Sequence, residues 1–465
     1  MISNITLHNF KAFDELSVDF APITILVGPN NSGKSSIHAA LRLLAQTLDG
    51  TDNQTQLLLT GGFGDFGTYK DLVYRNFGGR AIGISISVRS NFQSALPRSK
   101  LPMDWIMGTD TMTLDLEFKY RVRRRELILR RVTTSLDGEP LLDIGYSNDS
   151  GKNLVNSIGK VEVPSAIKSL LSQQLLRMDT FMPSVRTFLN YEQREQPSLR
   201  DFYTKEIEQS ARRSNEVVRE IRYFLSRIDY IGAMRLPPLR TYLFTGQRPR
   251  RIGAAGENTA GLLSLYTSRD ATPSGEVLEL LKKWLSDAGI ASNIRVDAIS
   301  DRHFEILVQH PVTKEYENLV DVGQGNSQVL PVLLGGFQRA PTSTYIVEEP
   351  EIHLHPRAQA TLGDFVLQLY QRRVQSIIET HSEYLVVRLQ QHVASKAIPP
   401  DHVRFYYVLP SENGKDVVSL RLDDKGRFID EWPEGFFPER LDEAKKLSRI
   451  RYASDTEGAE DGSRD

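Results

Sequence analysis

A short glycine-rich run that ends in a lysine and two serines is the part of the chain best suited to chemistry. It has the pattern of a glycine, four further residues and then Gly-Lys-Ser, which is typical of a phosphate-binding loop. In such a loop backbone N–H groups and the lysine ammonium bind phosphates, and the first serine hydroxyl ligates magnesium. The sequence therefore predicts ATP as ligand and Mg²⁺ as its metal, with the P-loop residues Gly28, Pro29, Asn30, Asn31, Ser32, Gly33, Lys34, Ser35 and Ser36.

A run of carboxylates follows an apolar segment late in the chain, in Tyr345-Ile346-Val347-Glu348-Glu349-Pro350-Glu351. At the end of a strand beside a P-loop, the first carboxylate holds magnesium and the second orients or deprotonates water. We therefore predict Glu348 as a metal ligand with Ser35, and Glu349 as the catalytic base. Aspartate is usual at the metal position, so we expect the longer Glu348 to act through a water or from a shifted strand end.

Two other segments are candidates for contact with the γ-phosphate. Residues 322–328 precede an apolar run and predict a helix with Pro331 in its first turn. A helix N-terminus binds anions, so we expect this signature loop to contact a nucleotide bound to a partner subunit, although an ordinary capped turn is the alternative. His381, in Thr380-His381-Ser382, is predicted to join Lys34 and Glu349 as a γ-phosphate sensor. The predicted signature-loop contacts are Gly323, Gly325, Asn326, Ser327 and Gln328.

Hydrophobic periodicity predicts the elements that must position these residues. The apolar run 23–27 predicts a buried parallel strand directly before the P-loop. Runs at 345–347 and 376–378 predict two more such strands, each followed by a helix. After Lys34, apolar residues recur with the spacing of an amphipathic helix. They are Ile37, Ala40, Leu41, Leu44 and Leu48.

The residues between these segments predict two insertions. Short β-like runs at 82–88, 112–116 and 127–129 indicate an antiparallel lobe. Apolar positions between 160 and 227 and a stretch from Ser274 to Gly289 indicate helices. We predict an α/β fold: an ABC-type P-loop ATPase head, with a mixed sheet flanked by helices, an antiparallel β-lobe and an inserted helical subdomain. The predicted divisions are head 1–80, β-lobe 81–158, helical insertion 159–290, head 291–440 and flexible acidic tail 441–465.

Composition limits the function classes. The 57 Lys and Arg nearly balance the 59 Asp and Glu, so no global field attracts nucleic acid or an anionic membrane. No apolar run approaches the roughly 18 residues of a membrane helix, and no secretory signal is present. The absence of cysteine excludes disulfides and thiolate chemistry. We expect a soluble cytoplasmic protein without membrane contact.

Two basic clusters and a histidine pair leave alternatives open. The clusters are suited to nucleic-acid phosphates, but a solvated strand face or an acidic partner explains them equally well. His353 and His355 lie near glutamates, yet their spacing fits no zinc motif and Pro356 begins a helix there, so structural or interface roles are expected. The basic residues are Arg121, Arg123, Arg124, Arg125, Arg130, Arg131, Arg248, Arg250 and Arg251.

At these motifs the sequence resembles the RecF-like and OLD-like ABC ATPases of bacteria, which include ATPase subunits of anti-phage systems such as Septu. The run 347–356, the Thr-His-Ser triplet and residues 323–331 carry the resemblance. It implies that Asn9, Phe10 and Lys11 approach the adenine end of the nucleotide. Family landmarks without an assigned role lie at 229–235 and 256–259. Residues 432–437 resemble the C-terminal mark of a stand-alone subgroup.

The resemblance also implies function and partners. It predicts a homodimer or higher homo-oligomer with nucleotide between the heads, which controls a separate nuclease or toxin effector in anti-phage defence. The alternative is a RecF-like DNA-binding ATPase of repair or recombination, with DNA as partner. The residues after His381 are too few for the nuclease domain of OLD proteins, and Asp423-Asp424 is the only suggestive pair there.

Overall fold

The computed structural model describes residues 1–52, 54–90, 109–186, 202, 204–267, 274–411 and 414–431. No helix within these ranges combines the length and apolarity needed to cross a membrane. The strands are β1 (Ile2–Phe10), β2 (Phe13–Asp19), β3 (Ile23–Val27), β4 (Thr60–Gly61), β5 (Gly64–Asp65), β6 (Ile82–Ser90), β7 (Asp110–Arg121), β8 (Glu126–Leu136), β9 (Glu139–Ser147), β10 (Lys152–Ile158), β11 (Val161–Glu162), β12 (Leu176–Asp179), β13 (Met182–Val185), β14 (Ile228–Ile231), β15 (Tyr242–Leu243), β16 (Asn293–Ala298), β17 (His303–Gln309), β18 (Tyr316–Asn318), β19 (Thr344–Glu348), β20 (Gln375–Glu379), β21 (Val403–Ser411) and β22 (Gly414–Leu420). The α-helices are α1 (Lys34–Asp49), α2 (Tyr69–Leu72), α3 (Ser165–Leu175), α4 (Lys205–Leu225), α5 (Thr259–Thr267), α6 (Ser274–Asp287), α7 (Gln324–Phe337), α8 (Pro356–Gln371) and α9 (Glu383–Ala394).

A six-stranded sheet carries the predicted site. Its order is β14-β19-β20-β3-β21-β22, and only the β21-β22 pair is antiparallel. Alternate residues of β3 contribute to two hydrophobic clusters, as a strand buried on both faces requires. Leu26 packs in the cluster that contains Ile37 and Leu41 of α1, whereas Ile25 packs in the cluster of α7, α8 and α9. The three predicted parallel strands are therefore confirmed as the centre of this sheet.

The antiparallel lobe is an eight-stranded sheet of order β11-β10-β9-β8-β7-β6-β1-β2. The three strands predicted from the runs between 82 and 129 are confirmed as parts of β6, β7 and β8. The sheet also contains β1 and β2, which lie before the P-loop in the chain. Leu7 of β1 pairs with Ile84 of β6, and both side chains are buried. Hydrophobic alternation along β1 is local in the chain and does not indicate which strand it pairs with.

The segment between the lobe and residue 290 contains the predicted helices and also strands. Helix α4 buries Ile207, Ala211 and Ile221 against the lobe, as its spacing predicts. Directly after α4, β14 pairs in parallel with β19 and forms an edge of the six-stranded sheet. Only four residues long, β14 is too short for periodicity to separate it from a helix end.

Helix α7 begins earlier than the apolar run predicted. Its first residue is Gln324, so Pro331 occupies the helix interior and not the first turn. The prediction of a first-turn proline was wrong because the glycine-containing segment is itself helical. A proline inside a helix removes one backbone hydrogen bond, and here its ring is buried in the core.

Candidate nucleotide-binding site

The P-loop connects β3 to α1 and turns at two glycines whose conformations other residues avoid. Gly28 and Gly33 have φ of +142° and +103°. A Cβ at Gly28 would lie 2.2 Å from the Val408 carbonyl oxygen, and one at Gly33 would lie 2.9 Å from Ala12 Cβ. The Ser32 hydroxyl is buried without a hydrogen-bond partner in the described ranges. The loop thus has the shape and the free polar group that suit bound phosphate oxygens.

The Lys34 ammonium lies against this loop. Its Nζ donates to the carbonyl oxygens of Gly28 and Pro29, at 3.0 Å each, and lies 3.7 Å from Glu379 Oε1. Burial lowers the pKa of Lys34, while the nearby Glu379 carboxylate opposes that shift. At the tip of the loop Asn30 and Asn31 are exposed. Lys34 is therefore available to exchange carbonyl acceptors for charged phosphate oxygens.

Ser35, the predicted metal ligand, contacts a carboxylate that lies outside the predicted motifs. Its hydroxyl donates to Glu379 Oε2 at 2.8 Å. Glu379 is the last residue of β20 and pairs in register with Glu348 of β19. Its side chain is 8% exposed. Burial raises the pKa of Glu379, but hydrogen bonds from His38 and Ser35 and the charge of Lys34 outweigh burial, so its pKa is lowered.

Glu348 reaches past Ser35 toward the following turns of α1. Its Oε1 lies 3.6 Å from His38 Nε2 and 3.5 Å from an Arg42 nitrogen. Burial raises the pKa of Tyr230, and the nearby Glu348 carboxylate raises it further. Ligand atoms of His38, Glu348 and Glu379 lie within 4.8 Å of one another. This group and the Ser35 hydroxyl have the oxygen-rich chemistry of a divalent-cation site.

Glu349 and His381 lie side by side at the same edge of the sheet. Glu349 Oε1 is 3.9 Å from His381 Nε2, and both side chains are about one third exposed. Burial lowers the pKa of His381, and the Lys34 ammonium lowers it further. Glu349 has a φ of +43°, and its N–H donates to the Glu379 carbonyl at 2.7 Å. The structure thus brings together the three residues predicted to be catalytic.

Glu351 connects the carboxylate turn to the histidine segment. Its Oε1 accepts a hydrogen bond from the His381 N–H at 2.5 Å. Its Oε2 is buried without a partner in the described parts of the chain. Burial raises the pKa of Glu351 above the ordinary value. Glu351 therefore fixes the backbone that carries His381, although burial disfavours the charged form of its carboxylate.

The raised pKa of Glu351 predicts a pH dependence of stability. Because the folded-state pKa is raised, protonation of Glu351 stabilises the fold below the unfolded value of 4.5, and that contribution is lost as pH rises through the folded pKa. Glu351→Gln cannot ionise. Urea unfolding between about pH 4 and pH 8 should show the free energy of unfolding of the variant rising relative to the parent. A difference in the free energy of unfolding between Glu351→Gln and the parent that stays constant across this pH range would contradict the prediction.

The turn after β1 lies beside the P-loop. Asn9 accepts a hydrogen bond from Arg80 at 3.2 Å, and the Lys11 ammonium lies 5.6 Å from the centre of the Phe66 ring. Asn9 and Lys11 both have positive φ, and Ala12, next in the chain, lies beside Gly33, where an added Cβ would come within 2.9 Å of it. Phe10, in contrast, is fully buried in the core. Of the three predicted adenine-side residues, Phe10 therefore has no exposed surface with which to contact a ligand.

The signature loop packs against the turn that follows the carboxylates. A Cβ at Gly325 would lie 2.6 Å from the His353 carbonyl oxygen, so this position requires glycine. A cavity of about 480 Å³ lies between the loop, His353, His355 and Arg357. His355 Nδ1 accepts a hydrogen bond from the Arg357 N–H at the start of α8. The expected structural role of the histidine pair is thus met at His355, which caps a helix.

Much of the arginine charge is paired within the chain. Arg130 lies 2.7 Å from Glu117, Arg131 lies 2.9 Å from Asp143, and Arg251 lies 2.6 Å from Asp49. Residues 123–125 are exposed in the turn between β7 and β8. Asp423, of the acidic pair Asp423-Asp424, accepts a hydrogen bond from Arg427. The basic clusters therefore carry less unpaired charge than the sequence indicates.

Three stretches of the chain match protein-family models. Residues 1–76 match "AAA ATPase domain", and residues 292–388 match "AAA domain, putative AbiEii toxin, Type IV TA system". Residues 398–447 match "Protein of unknown function (DUF3696)", a range that includes the 432–437 segment. The first match contains the P-loop and the second contains α7, the carboxylates and His381. The site and these matches define the class of protein as an ATPase of the AAA/ABC type.

Solved structures of SMC heads match the chain over most of its length at low sequence identity. An Smc head bound to the C-winged helix domain of ScpA has 14% identity over 91% of this chain and 98% of that chain, with a TM-score of 0.42. The SMC head domain from Thermotoga maritima has 12% identity over 90% and 98%, at 0.39. An Smc head with an extended coiled coil, bound to the C-terminal domain of ScpA derived from Pyrococcus furiosus, has 12% identity over 97% and 99%, at 0.41. No curated protein matches the chain.

Proposed function

We propose that the chain is an ATP-hydrolysing switch in which nucleotide holds two copies of the head together. The observation that carries this proposal is the meeting of Lys34, Glu349 and His381 at one sheet edge. A lysine, a carboxylate and a histidine there are suited to bind the γ-phosphate and activate a water. Hydrolysis then removes the contacts that favour the paired state.

The chemistry of these residues suits a magnesium ion. We revise the prediction of which of them lie nearest to it. Ser35, the P-loop residue expected to ligate the metal, donates to Glu379, whereas the Glu348 carboxylate faces His38 and Arg42 in later turns of α1. When bound, the metal neutralises the charge of the phosphates. In this proposal Glu379 fixes the Ser35 hydroxyl, and Glu348 supplies a second carboxylate.

This assignment predicts that Glu379→Gln weakens metal binding more than Glu348→Gln does. Loss of a carboxylate that holds a metal-ligating group typically costs about tenfold or more in affinity. Mn²⁺ with a non-hydrolysable ATP analogue serves as the probe, and electron paramagnetic resonance measures its dissociation constant. The Glu348→Gln variant is the matched control. If Glu348→Gln weakens Mn²⁺ binding and Glu379→Gln leaves it unchanged, the sequence-based prediction of Ser35 and Glu348 as the metal ligands is the better one.

The signature loop supports the dimeric part of the proposal. It forms the N-terminus of the 14-residue α7, its Gln324 is exposed, and its Asn326 is half-buried. Backbone N–H groups at such a helix start attract a phosphate. In a two-fold symmetric pair, each phosphate site would combine the P-loop of one copy with the signature loop of the other.

Mixing two inactive variants tests this arrangement. Lys34→Ala disables the P-loop, and Asn326→Asp places a negative charge where the phosphate would bind while keeping the size of the side chain. The helix dipole favours this carboxylate, so the fold should be retained. Random pairing should restore about a quarter of parental turnover, because half of the dimers contain one intact composite site. A mixture no more active than its components would exclude shared sites.

The regulatory role rests on the resemblance and on the match to a domain described with an AbiEii toxin. We propose that the switch controls a separate nuclease or toxin effector in anti-phage defence. Co-purification with the products of adjacent genes, with and without an ATP analogue, tests this role. Absence of a nucleotide-dependent complex would remove the effector part and leave the ATPase part intact.

A further inference from the structure

Arg235 is a buried residue between two exposed ones, at the end of the segment 229–235 that the sequence singled out without a role. Met234 and Leu236 are 90% and 55% exposed, whereas Arg235 is 8% exposed. Backbone bonds at 2.8 and 2.9 Å join the N–H groups of Gly232 and Leu236 to the loop that precedes α5. The segment is therefore fixed on both sides of the arginine, and its side chain turns inward.

The guanidinium group connects the carboxylate turn to the helix of the signature loop. One nitrogen donates to the Glu348 carbonyl at 2.6 Å and to the Glu349 carbonyl at 3.0 Å. The other donates to the Gln328 carbonyl at 3.4 Å. Glu348 ends β19 and Gln328 lies in the second turn of α7. One side chain thus binds the two elements that carry the base and the signature loop.

This arrangement is costly for stability alone. A buried guanidinium normally pairs with a carboxylate, because its desolvation is expensive. Its guanidinium instead donates to three backbone carbonyls, and burial lowers the pKa of Arg235. The carboxylates of Glu348, Glu349 and Glu351 act on it only at longer range. A neutral side chain would fill the space without this desolvation penalty. The charged group is therefore expected to act on the carboxylate turn.

The role of Arg235 follows from the conformation of Glu349. Its φ of +43° is unfavourable for a residue with a side chain and persists only where the surroundings hold it. Arg235 binds the carbonyls of Glu348 and Glu349, the two peptide groups that flank this conformation. A change at either carbonyl would redirect the Glu349 carboxylate.

We propose that Arg235 is a positioning residue, which holds Glu349 in its active orientation and couples that orientation to the position of α7. The proposal rests on the proposed function, because it takes Glu349 as the base. A displacement of α7 by a second copy or an effector moves Gln328, and through Arg235 it moves Glu349. The pairing of two heads and the active orientation of Glu349 are then linked within one chain.

Arg235→Lys tests the proposal, because lysine keeps the charge but cannot span three carbonyls with a planar fork. We expect kcat to fall about 10- to 100-fold through misplacement of the base, with the dissociation constant for ATP within about twofold of the parent. The matched control is Arg339→Lys, at the other end of α7. Arg339 donates to the carbonyls of Gly335 and Arg250 and pairs with the buried Asp229 at 3.0 Å. Lysine can keep that ion pair, so the replacement should leave kcat near the parental value.

Hydrogen exchange supplies a readout that does not need turnover. The Glu349 N–H donates to the Glu379 carbonyl, and its exchange should accelerate in Arg235→Lys and not in Arg339→Lys. Parental kcat with unchanged exchange at Glu349 overturns the proposal, as does an equal loss of ATP affinity and kcat. If the parent itself hydrolyses no ATP, the proposed function fails, and the exchange rates alone decide whether Arg235 holds the turn. Should Arg235→Lys not fold, Arg235→Met is measured in the same way.

Discussion

Lys34→Ala is expected to reduce nucleotide affinity by about 100-fold or more, because two charge-assisted bonds of about 1.5–3 kcal/mol each are lost. The ammonium already lies against the loop, bonded to the carbonyls of Gly28 and Pro29. Alanine leaves those carbonyls, which repel phosphate oxygens, without a counter-charge. Calorimetric titration with ATP and magnesium measures the loss, and steady-state phosphate release should fall to background.

Lys415→Ala is the matched control for this prediction. Lys415 also bonds to the P-loop, through the Asn31 carbonyl at 2.8 Å, but its ammonium lies on the outside of the loop. Its removal should change affinity by less than about threefold, the scale of an exposed contact. An equal loss in both variants would indicate general damage to the loop, and parental affinity in Lys34→Ala would exclude the P-loop as the binding site.

The parts of the site that sequence could predict are local in the chain. The P-loop, its strand and α1 follow one another within residues 23–49, so motif and periodicity act on the same stretch. Glu349 and His381 each follow a buried parallel strand. Because such strands end at one edge of a sheet, their side chains were expected to meet there, and they lie 3.9 Å apart.

The position of Glu379 could not be predicted in the same way. It precedes the recognised Thr-His-Ser triplet by one residue, and a strand-ending glutamate has no motif of its own. Its contact with Ser35 depends on the neighbouring order of β20 and β3 and on the register that pairs Glu379 with Leu26. Hydrophobic periodicity predicts strands, but neither their order nor their register.

The role of Arg235 was hidden for a related reason. Its acceptors are backbone carbonyls, which every residue carries, so no pattern of side chains identifies them. They come from residues 328, 348 and 349, roughly a hundred positions away. The one available signal was a lone arginine between apolar residues in a family landmark, and that signal names no partner.

Glu349→Gln is expected to slow ATP hydrolysis by about 100-fold or more, since glutamine keeps the shape of the side chain but cannot accept a proton. Nucleotide binding should remain near parental, because Lys34 and the loop are unchanged. Single-turnover measurement with radiolabelled ATP separates the chemical step from binding. The comparison variant is Glu348→Gln, which replaces the neighbouring carboxylate. In the parent that carboxylate faces His38 and Arg42.

The same variant should prolong the paired state. If ATP between two heads stabilises them, a head that cannot hydrolyse keeps that stabilisation for as long as ATP is present. Light scattering should then detect a dimer in Glu349→Gln with ATP and a monomer in Lys34→Ala under the same conditions. Slow hydrolysis without a dimer would retain Glu349 as base and reject the switch. Parental hydrolysis would instead remove Glu349 from the chemistry and leave His381 as the nearest candidate to activate water.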